Sequence, residues 1–312
     1  GIGWDDLIPQ VVSRTSDRGY LSRMYTTRRP FFEEDIKPKL GGAKSEKDKK
    51  KAAIKAIFGM YDELIPRWKA VAWTAEAEME AEEKGDDALP WCNIKFAMTH
   101  FMDTFKESEY YTVLMDHGIP AVAEKMDLAA LAKYKYHVDI GGGGGTTWSG
   151  TFEKLALPGV LFHHVTPTVD YNHARIKPWV HYIPLDEDLR DLKEKYEWAE
   201  SHPEEARKIS ERATAFIKSL GTEEGFDGFY KEFYEEPLRQ VVNAYQPLSK
   251  DGPSWQEMIK DVISENRKGV HPLRSMIKCG GHGDFTHDCE DLDDEAAKLR
   301  DIPVKDQPEK IS

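Results

Sequence analysis

The stretch from residue 134 to residue 165 constrains the fold more than any other part of the chain. Residues 134–140 alternate apolar and polar side chains and are rich in aromatic and β-branched types, which predicts a β-strand. Five consecutive glycines follow, then a short helical pattern over residues 152–157. The compact apolar run at residues 160–165 is typical of a buried strand. The stretch therefore predicts a strand, glycine loop, helix and parallel strand.

Such a unit places backbone N–H groups at the carboxyl end of a parallel strand, where an anion is favoured. Glycine allows the main chain to approach the anion closely, while hydroxyls and a lysine add donors and charge. We expect a phosphate or diphosphate there. The alternative is that the glycines form only a flexible loop. The predicted ligand-binding residues of this segment are Gly143, Gly144, Gly145, Thr146, Thr147, Trp148, Ser149, Gly150, Thr151 and Lys154.

Several short motifs around the loop resemble glycosyltransferase family 90, which includes the fungal capsule-associated proteins and the animal protein O-glucosyltransferases. They are the Lys-Tyr-Lys-Tyr run at 133–136, Trp-Ser-Gly at 148–150, the strand ending in His-Val at 164–165, and Lys-Pro-Trp-Val-His-Tyr-Ile-Pro at 177–184. The last segment is the most specific. The resemblance is densest between about residues 134 and 216.

The resemblance implies an α/β fold with two Rossmann-like domains facing a cleft, the arrangement called GT-B. We expect residues 1–130 to form a shortened acceptor-side domain and residues 131–250 the domain that binds the nucleotide sugar. We expect residues 251–312 to be a partly disordered extension, since residues 290–312 are acidic, contain proline and are poor in apolar side chains.

The resemblance also implies a function. It indicates transfer of glucose or xylose from a uridine diphosphate (UDP) sugar to a protein or glycan hydroxyl, with inversion and without a metal or other cofactor. The alternative is a non-catalytic member that binds a nucleotide sugar or a glycan. By the same resemblance we expect the secretory pathway, the lumen of the endoplasmic reticulum or Golgi, although no leader precedes Gly1 in what reads as a processed or excised segment.

Two positions depart from the family pattern. Arginine is expected where this chain has Thr74, after a predicted strand at residues 67–73, and where it has Thr151. An arginine–phosphate pair is charge-assisted, so its loss weakens donor binding unless another cation replaces it. The available replacements are Lys69, Lys154, His163, His164 and Arg175, and of these we expect Lys154 and Arg175. Thr74 itself is also predicted to contact the nucleotide sugar.

The predicted catalytic base is Asp17, since the family places this aspartate in the amino-terminal half. Two alternatives stay open: Asp17 is an exposed turn residue, or the base lies upstream of Gly1. His163 and His164 occupy successive strand positions, so only one can face a cleft. We assign His164 to the ligand site, and the other histidine is then a satisfied core residue.

Charge and composition exclude some partners. The net charge of −13 provides no basic excess for neutralising nucleic-acid phosphates. No apolar run approaches the ~20 residues that cross a bilayer, so we expect no membrane contact from this segment. Near the carboxyl end, Cys279 and Cys289 with His282 and His287 leave three alternatives: a zinc site, a disulfide, or unlinked side chains. We predict no metal site.

Overall fold

The computed structural model of the protein describes residues 2–17, 27–85, 87–97, 108–142, 145, 147 and 150–244. Residues up to Val241 form one compact unit, and Val242–Ser312 forms a second. The second unit lies almost wholly outside the described residues, and with it the predicted disordered extension and the cysteine and histidine group at 279–289.

A six-stranded sheet forms the centre of the first unit, and every paired neighbour in it is parallel. The strand order is β3-β2-β1-β4-β5-β6, which is the Rossmann order. The order reverses between β1 and β4, and ligands of such sheets bind beyond the carboxyl ends of the strands near this reversal. The strands are β1 (Ile8–Thr15), β2 (Cys92–Ala97), β3 (Val122–Ala123), β4 (Tyr134–Asp139), β5 (Val160–His164) and β6 (Ile183–Leu185).

The predicted strands on both sides of the glycine loop are confirmed as β4 and β5. All five residues of β5 are buried, as expected for an inner strand covered on both faces. The two strands pair with Val138 opposite Phe162 and Asp139 opposite His163. This register places Asp139 and His163 side by side on one face of the sheet.

Nine α-helices surround the sheet in the described residues. The chain marks their starts with ordinary capping chemistry: the Ser45 hydroxyl accepts a hydrogen bond from the Asp48 N–H of α1, and Pro66 occupies the first turn of α2. The helices are α1 (Glu46–Gly59), α2 (Pro66–Lys84), α3 (Ser108–Asp116), α4 (Leu128–Leu131), α5 (Gly150–Ala156), α6 (Leu192–Ser201), α7 (Pro203–Leu220), α8 (Glu223–Tyr230) and α9 (Glu236–Ala244).

The predicted strand at residues 67–73 is wrong, because these residues belong to α2. The segment is buried on most of its circumference, so it lacks the polar stripe that would have indicated a helix. Pro66 was the informative signal, since proline is favoured in the first helical turn. This correction moves residue 74 from the end of a strand to the middle of a helix.

Buried side chains hold these layers together. One cluster joins the sheet to α6 and α7 and includes Val11, Tyr136, Phe162 and Leu192. A second cluster surrounds Trp68 between α1, α2 and α3. A third, smaller cluster packs α5 and α7 on the opposite face of β5, and its buried members are Leu155, Leu161, Ile176, Tyr182 and Ala213.

The division expected at residue 130 does not separate two sheets. β1 pairs with β2 on one side and with β4 on the other, so strands from both expected domains form one continuous sheet. The α/β, Rossmann-like class is confirmed, whereas the described residues contain one sheet where a two-domain cleft would require two. None of the described helices is both long and apolar enough to span a membrane.

Candidate functional site

An open pocket of about 120 Å³ lies beyond the carboxyl ends of β4 and β5. Gly145 and Thr147 of the glycine segment form one wall. His163, His173 and Tyr182 line the pocket from β5 and from the chain that follows it. The pocket therefore lies next to the reversal of strand order, where Rossmann-like sheets bind ligands.

Two of the glycines are explained by close approaches. The Gly145 N–H donates to the Gly142 carbonyl at 2.8 Å, and Gly145 has a φ of 82°, so the chain makes a tight turn there. A Cβ on Gly141 would lie 2.4 Å from the Gly145 carbonyl oxygen, and one on Gly142 would lie 2.6 Å from the Arg67 guanidinium. The described glycines of this segment are therefore held by specific contacts.

Arg67, in the first turn of α2, joins the ends of the two central strands. Its Nη1 donates to the Ser16 carbonyl at 2.8 Å, and its Nη2 donates to the Ile140 carbonyl at 3.1 Å. Sequence reasoning missed this residue, because a strand was predicted where α2 begins. Reading Pro66 as a helix start would have placed Arg67 at the sheet edge.

His164 is a satisfied core histidine and is only 1% exposed. The Gly141 N–H donates to its Nδ1 at 3.2 Å, so the proton resides on Nε2, which donates to the Glu187 carbonyl at 2.8 Å. Burial lowers the pKa of His164 to about 4, so the ring is neutral. Both histidines line the pocket, but both ring nitrogens of His164, the expected ligand residue, are used by the protein, so His164 fixes the start of the glycine turn. His163 has one ring nitrogen bonded to Asp139 and the other used by no hydrogen bond found among the described residues.

His163 is paired with a buried carboxylate. Its Nδ1 lies 2.8 Å from Oδ1 of Asp139, and the Thr151 hydroxyl donates to Oδ2 of Asp139 at 2.7 Å. Burial opposes charge on the carboxyl, but His163 and the Thr151 hydrogen bond lower the pKa of Asp139 below its ordinary value. Burial likewise opposes charge on His163, but the carboxylate raises the pKa of the imidazole. Asp139 and His163 thus form a buried pair in which each partner favours the charged form of the other.

Thr151 and Thr147 support this dyad. Thr151 is fully buried and uses its only hydroxyl proton on Asp139. The Thr147 hydroxyl, which contacts the Thr151 hydroxyl, must therefore donate to it. The predicted ligand contact of Thr151 is corrected to a positioning role, since none of its surface reaches the pocket.

The two predicted replacement cations have different environments. Lys154 Nζ lies 3.4 Å from the Gly150 carbonyl, so this side chain runs back towards the start of α5 beside the pocket. Arg175 instead pairs with Glu232 and lies over the rings of Phe229 and Phe233. Arg175 therefore attaches the helices that follow α7 to the domain, and its expected phosphate contact is not supported.

Thr74 is also corrected. Its hydroxyl accepts from the Ile94 N–H at 2.8 Å and donates to the Ile94 carbonyl at 3.0 Å, and the residue is fully buried between α2 and β2. It connects a helix to the sheet and cannot reach a ligand. Gly143, Gly144, Thr146, Trp148 and Ser149 lie outside the described residues, so their predicted roles stay predictions.

Asp17 lies just beyond the carboxyl end of β1 and is 4% exposed. Arg29 Nε donates to Oδ2 of Asp17 at 2.7 Å, the Tyr111 hydroxyl donates to the same oxygen at 2.5 Å, and Trp68 Nε1 donates to Oδ1 at 3.2 Å. A base must accept a proton from the acceptor, and these donors occupy the carboxylate. The geometry favours a structural role, and the alternative of an exposed turn residue is wrong.

No group of three or more histidine, cysteine, aspartate or glutamate side chains is arranged to bind a metal within the described part of the chain. Cys92 is a free thiol, and burial raises its pKa to about 12, which is the behaviour of a structural cysteine. Neither observation adds a cofactor to the pocket.

Comparison with known proteins places the chain beside sugar-transferring enzymes. The model of Glycosyl transferase family 90 matches residues 92–265, a range that includes every residue lining the pocket but neither Asp17 nor Arg67.

Three relatives illustrate how far the similarity extends. Zebrafish (Danio rerio) Protein O-glucosyltransferase 2 is 30% identical over 172 residues, which cover 53% of this chain and 31% of the relative. Mouse (Mus musculus) Protein O-glucosyltransferase 3 is 28% identical over 131 residues, 42% of this chain and 25% of the relative. Human (Homo sapiens) Protein O-glucosyltransferase 1 is 34% identical over 103 residues, 33% of this chain and 25% of the relative. The chain therefore matches between a quarter and a third of these relatives.

Proposed function

This chain belongs to glycosyltransferase family 90, and on that premise we propose that it transfers glucose or xylose from a UDP-sugar to a hydroxyl of a protein or glycan. Membership of the family identifies the chain as a glycosyltransferase domain. The donor, the acceptor and the reaction of the whole protein are the proposal. The names of the relatives, all protein O-glucosyltransferases, support a protein acceptor.

One observation carries the proposal: the pocket combines a glycine turn with an imidazole that is paired with a buried carboxylate, at the carboxyl ends of β4 and β5. Gly145 brings the main chain to the pocket wall without a side chain. His163, held by Asp139, lines the same pocket. Close backbone approach and positive charge are what a diphosphate requires.

The chemistry follows from that arrangement. The bond between the sugar C1 and the diphosphate oxygen breaks, and the acceptor oxygen forms a new bond to C1 from the opposite face, which inverts the configuration. Negative charge grows on the departing diphosphate, where nearby cations such as Lys154 stabilise it. The acceptor proton passes to a base. We propose that no metal takes part.

The surroundings of Asp17, the predicted catalytic base, fit its expected role less well than those of any other proposed group. Asp17 can act only if Arg29 and Tyr111 release its carboxylate. A second lobe, facing the pocket across a cleft, belongs to the same proposal. The base and the acceptor would reach the sugar from that lobe, on the face opposite the departing diphosphate. The secretory pathway is the compartment that this function suggests.

A binding experiment tests the family site. Addition of UDP in the presence of a chelator should raise the melting temperature of the whole chain, because a ligand that binds only the folded state stabilises it. Uridine serves as the matched control without phosphates. Absence of any shift at millimolar UDP would count against nucleotide-sugar binding.

A turnover experiment separates the enzyme from its rival. The rival, a non-catalytic nucleotide-sugar binder, is favoured by one observation: among the described residues that line the pocket, none is an aspartate or glutamate. UDP-glucose and UDP-xylose should each be incubated with the chain while UDP release is measured. Slow release supports the transferase, whereas binding without release over a long incubation supports the binder.

A further inference from the structure

We propose that the His163 imidazolium is the diphosphate-binding cation of this chain and that donor affinity therefore falls as the pH rises. The inference rests on the proposed nucleotide-sugar function. It assigns the charge to His163, which was one of the available replacement cations but not an expected one, in place of Arg175, which was expected.

The geometry leaves one nitrogen of His163 for a ligand. Nδ1 is used by Asp139, and none of the hydrogen bonds found among the described residues uses Nε2. The ring packs edge-on against Tyr182 and His173, with centroids 4.8 Å and 5.3 Å away, so its direction is fixed. Since His163 lines the pocket, the free N–H is available to an anionic oxygen there.

Charged and titratable groups face this ring from each packed element. Asp139 on β4 and Asp170 on the loop after β5 favour the protonated ring, whereas Lys154 on α5 opposes it. Asp139 is in direct contact and dominates the other two, so the pKa of His163 is raised despite burial. The neighbouring His173 behaves oppositely: burial and the charge of His163 lower its pKa.

The other cations near the sheet edge are less suited to this task. Arg67 spends its guanidinium on the carbonyls of Ser16 and Ile140, which hold the strand ends together. Arg175 is paired with Glu232. Lys154 lies beside the pocket but does not line it among the described residues. Among the described residues, His163 is therefore the group that combines a raised pKa with a ring nitrogen directed at the pocket and used by no described hydrogen bond.

A purely structural dyad would make a different prediction. If Asp139 and His163 only held β4 to β5, titrating the ring would change stability but not the ratio between affinities for charged and uncharged ligands. If His163 binds the diphosphate, loss of its proton removes a charge-assisted hydrogen bond to the ligand. The affinity for a diphosphate donor then falls while that for uridine is unchanged.

The test measures dissociation constants of UDP-glucose and of uridine for the whole chain between about pH 6 and about pH 8, below the range in which the uracil ring loses its proton. The diphosphate of UDP-glucose has no proton to lose in this range, so a change reflects the protein. We expect UDP-glucose to bind roughly ten- to a hundredfold more weakly at the alkaline end, the equivalent of one charge-assisted hydrogen bond. Uridine affinity should stay constant.

Variants sharpen the assignment. His163→Gln should bind UDP-glucose weakly at every pH, and His163→Arg should restore binding without the pH dependence. The exposed His202→Gln serves as the matched control and should behave like the unaltered chain. Circular dichroism establishes that each variant is folded, and the pH series on the unaltered chain decides the matter if His163→Gln is not.

The outcomes separate the two proposals. UDP-glucose binding that is independent of pH, or unchanged by His163→Gln, overturns the role of His163 and leaves the nucleotide-sugar site in place. Absence of UDP-glucose binding at every pH overturns both. Weakening with pH that uridine shares to the same extent indicates a structural titration and also overturns the inference.

Discussion

Two buried aspartates, Asp17 and Asp139, lie at the same edge of the sheet and have opposite surroundings. Asp17 follows β1 and receives hydrogen bonds from Arg29, Trp68 and Tyr111. Asp139 ends β4 and contacts His163 and the Thr151 hydroxyl. Both carboxylates are almost inaccessible, at 4% and 3% exposure. The two carboxylates differ in whether a side chain bonded to them also faces the pocket.

The partners decide whether a buried carboxylate can act on a ligand. Trp68 and Tyr111 belong to the packed cluster between α1, α2 and α3, so they close the Asp17 group on their side. Its third partner, Arg29, is partly exposed but does not line the pocket. His163 has a second ring nitrogen and lines a pocket, so the Asp139 group is open on one side. A buried acid therefore reaches a ligand only through a partner with two polar ends.

The largest expected effect is that of Asp17→Ala on stability. Removing one partner of a buried pair costs about 3–5 kcal/mol, and the lower end applies because the Arg29 side chain is 36% exposed. We expect the free energy of unfolding, measured by urea denaturation, to fall by about 3 kcal/mol. The exposed Asp62→Asn, which loses only a surface pair with Arg190, should change it by less than about 1 kcal/mol. Equal effects would contradict the closed cluster.

The next effect concerns the glycine turn on the open side. A Cβ at position 141 meets a backbone carbonyl at 2.4 Å, whereas one at position 150 meets only the flexible end of Lys154 at 3.2 Å. We expect Gly141→Ala to lose about 1–3 kcal/mol of stability and to weaken UDP binding, as overpacking does. Gly150→Ala should fold normally. If thermal melts of the two variants coincide, the turn does not need its glycine.

A smaller effect should appear in the pH dependence of stability. A raised folded-state pKa means that His163 stabilises fully below its unfolded pKa of about 6.5 and loses this contribution as the pH rises through the folded pKa. The free energy of unfolding should therefore decline above about pH 6.5 by no more than about 1.5 kcal/mol, because burial offsets part of the gain from the charged pair. His163→Gln should lack this decline, and a decline that persists in the variant would show that another group causes it.

The smallest effect is expected for Arg175→Ala. Its pair with Glu232 lies at the surface, so the loss of stability should stay within about 1 kcal/mol. UDP-glucose affinity should be unchanged within about twofold, because the guanidinium is directed at Glu232, Phe229 and Phe233. Lys154→Met is the informative companion, since its amine lies beside the pocket. If Arg175→Ala lost much of its affinity while Lys154→Met did not, Arg175 would be the phosphate-binding cation, as expected from the sequence.

The sequence by itself determined the local units. It predicted the strands on either side of the glycine segment and the buried character of β5, because hydrophobic periodicity acts over a few residues. It also indicated an anion site near the glycines, since turn chemistry and composition are local properties. The family resemblance lay in the same part of the chain.

Only the tertiary structure decided which polar groups face the pocket. The register between β4 and β5 pairs Asp139 with His163, and the following residue, His164, turns inward to hold Gly141. The pairing of β1 with β4 brings Ser16 and Ile140 together at the carboxyl ends of these strands. Arg67 of α2 donates to both of their carbonyls. These contacts join segments that are distant along the chain, and their hydrogen bonds exist only after the strands have paired. A local sequence pattern carries no record of them.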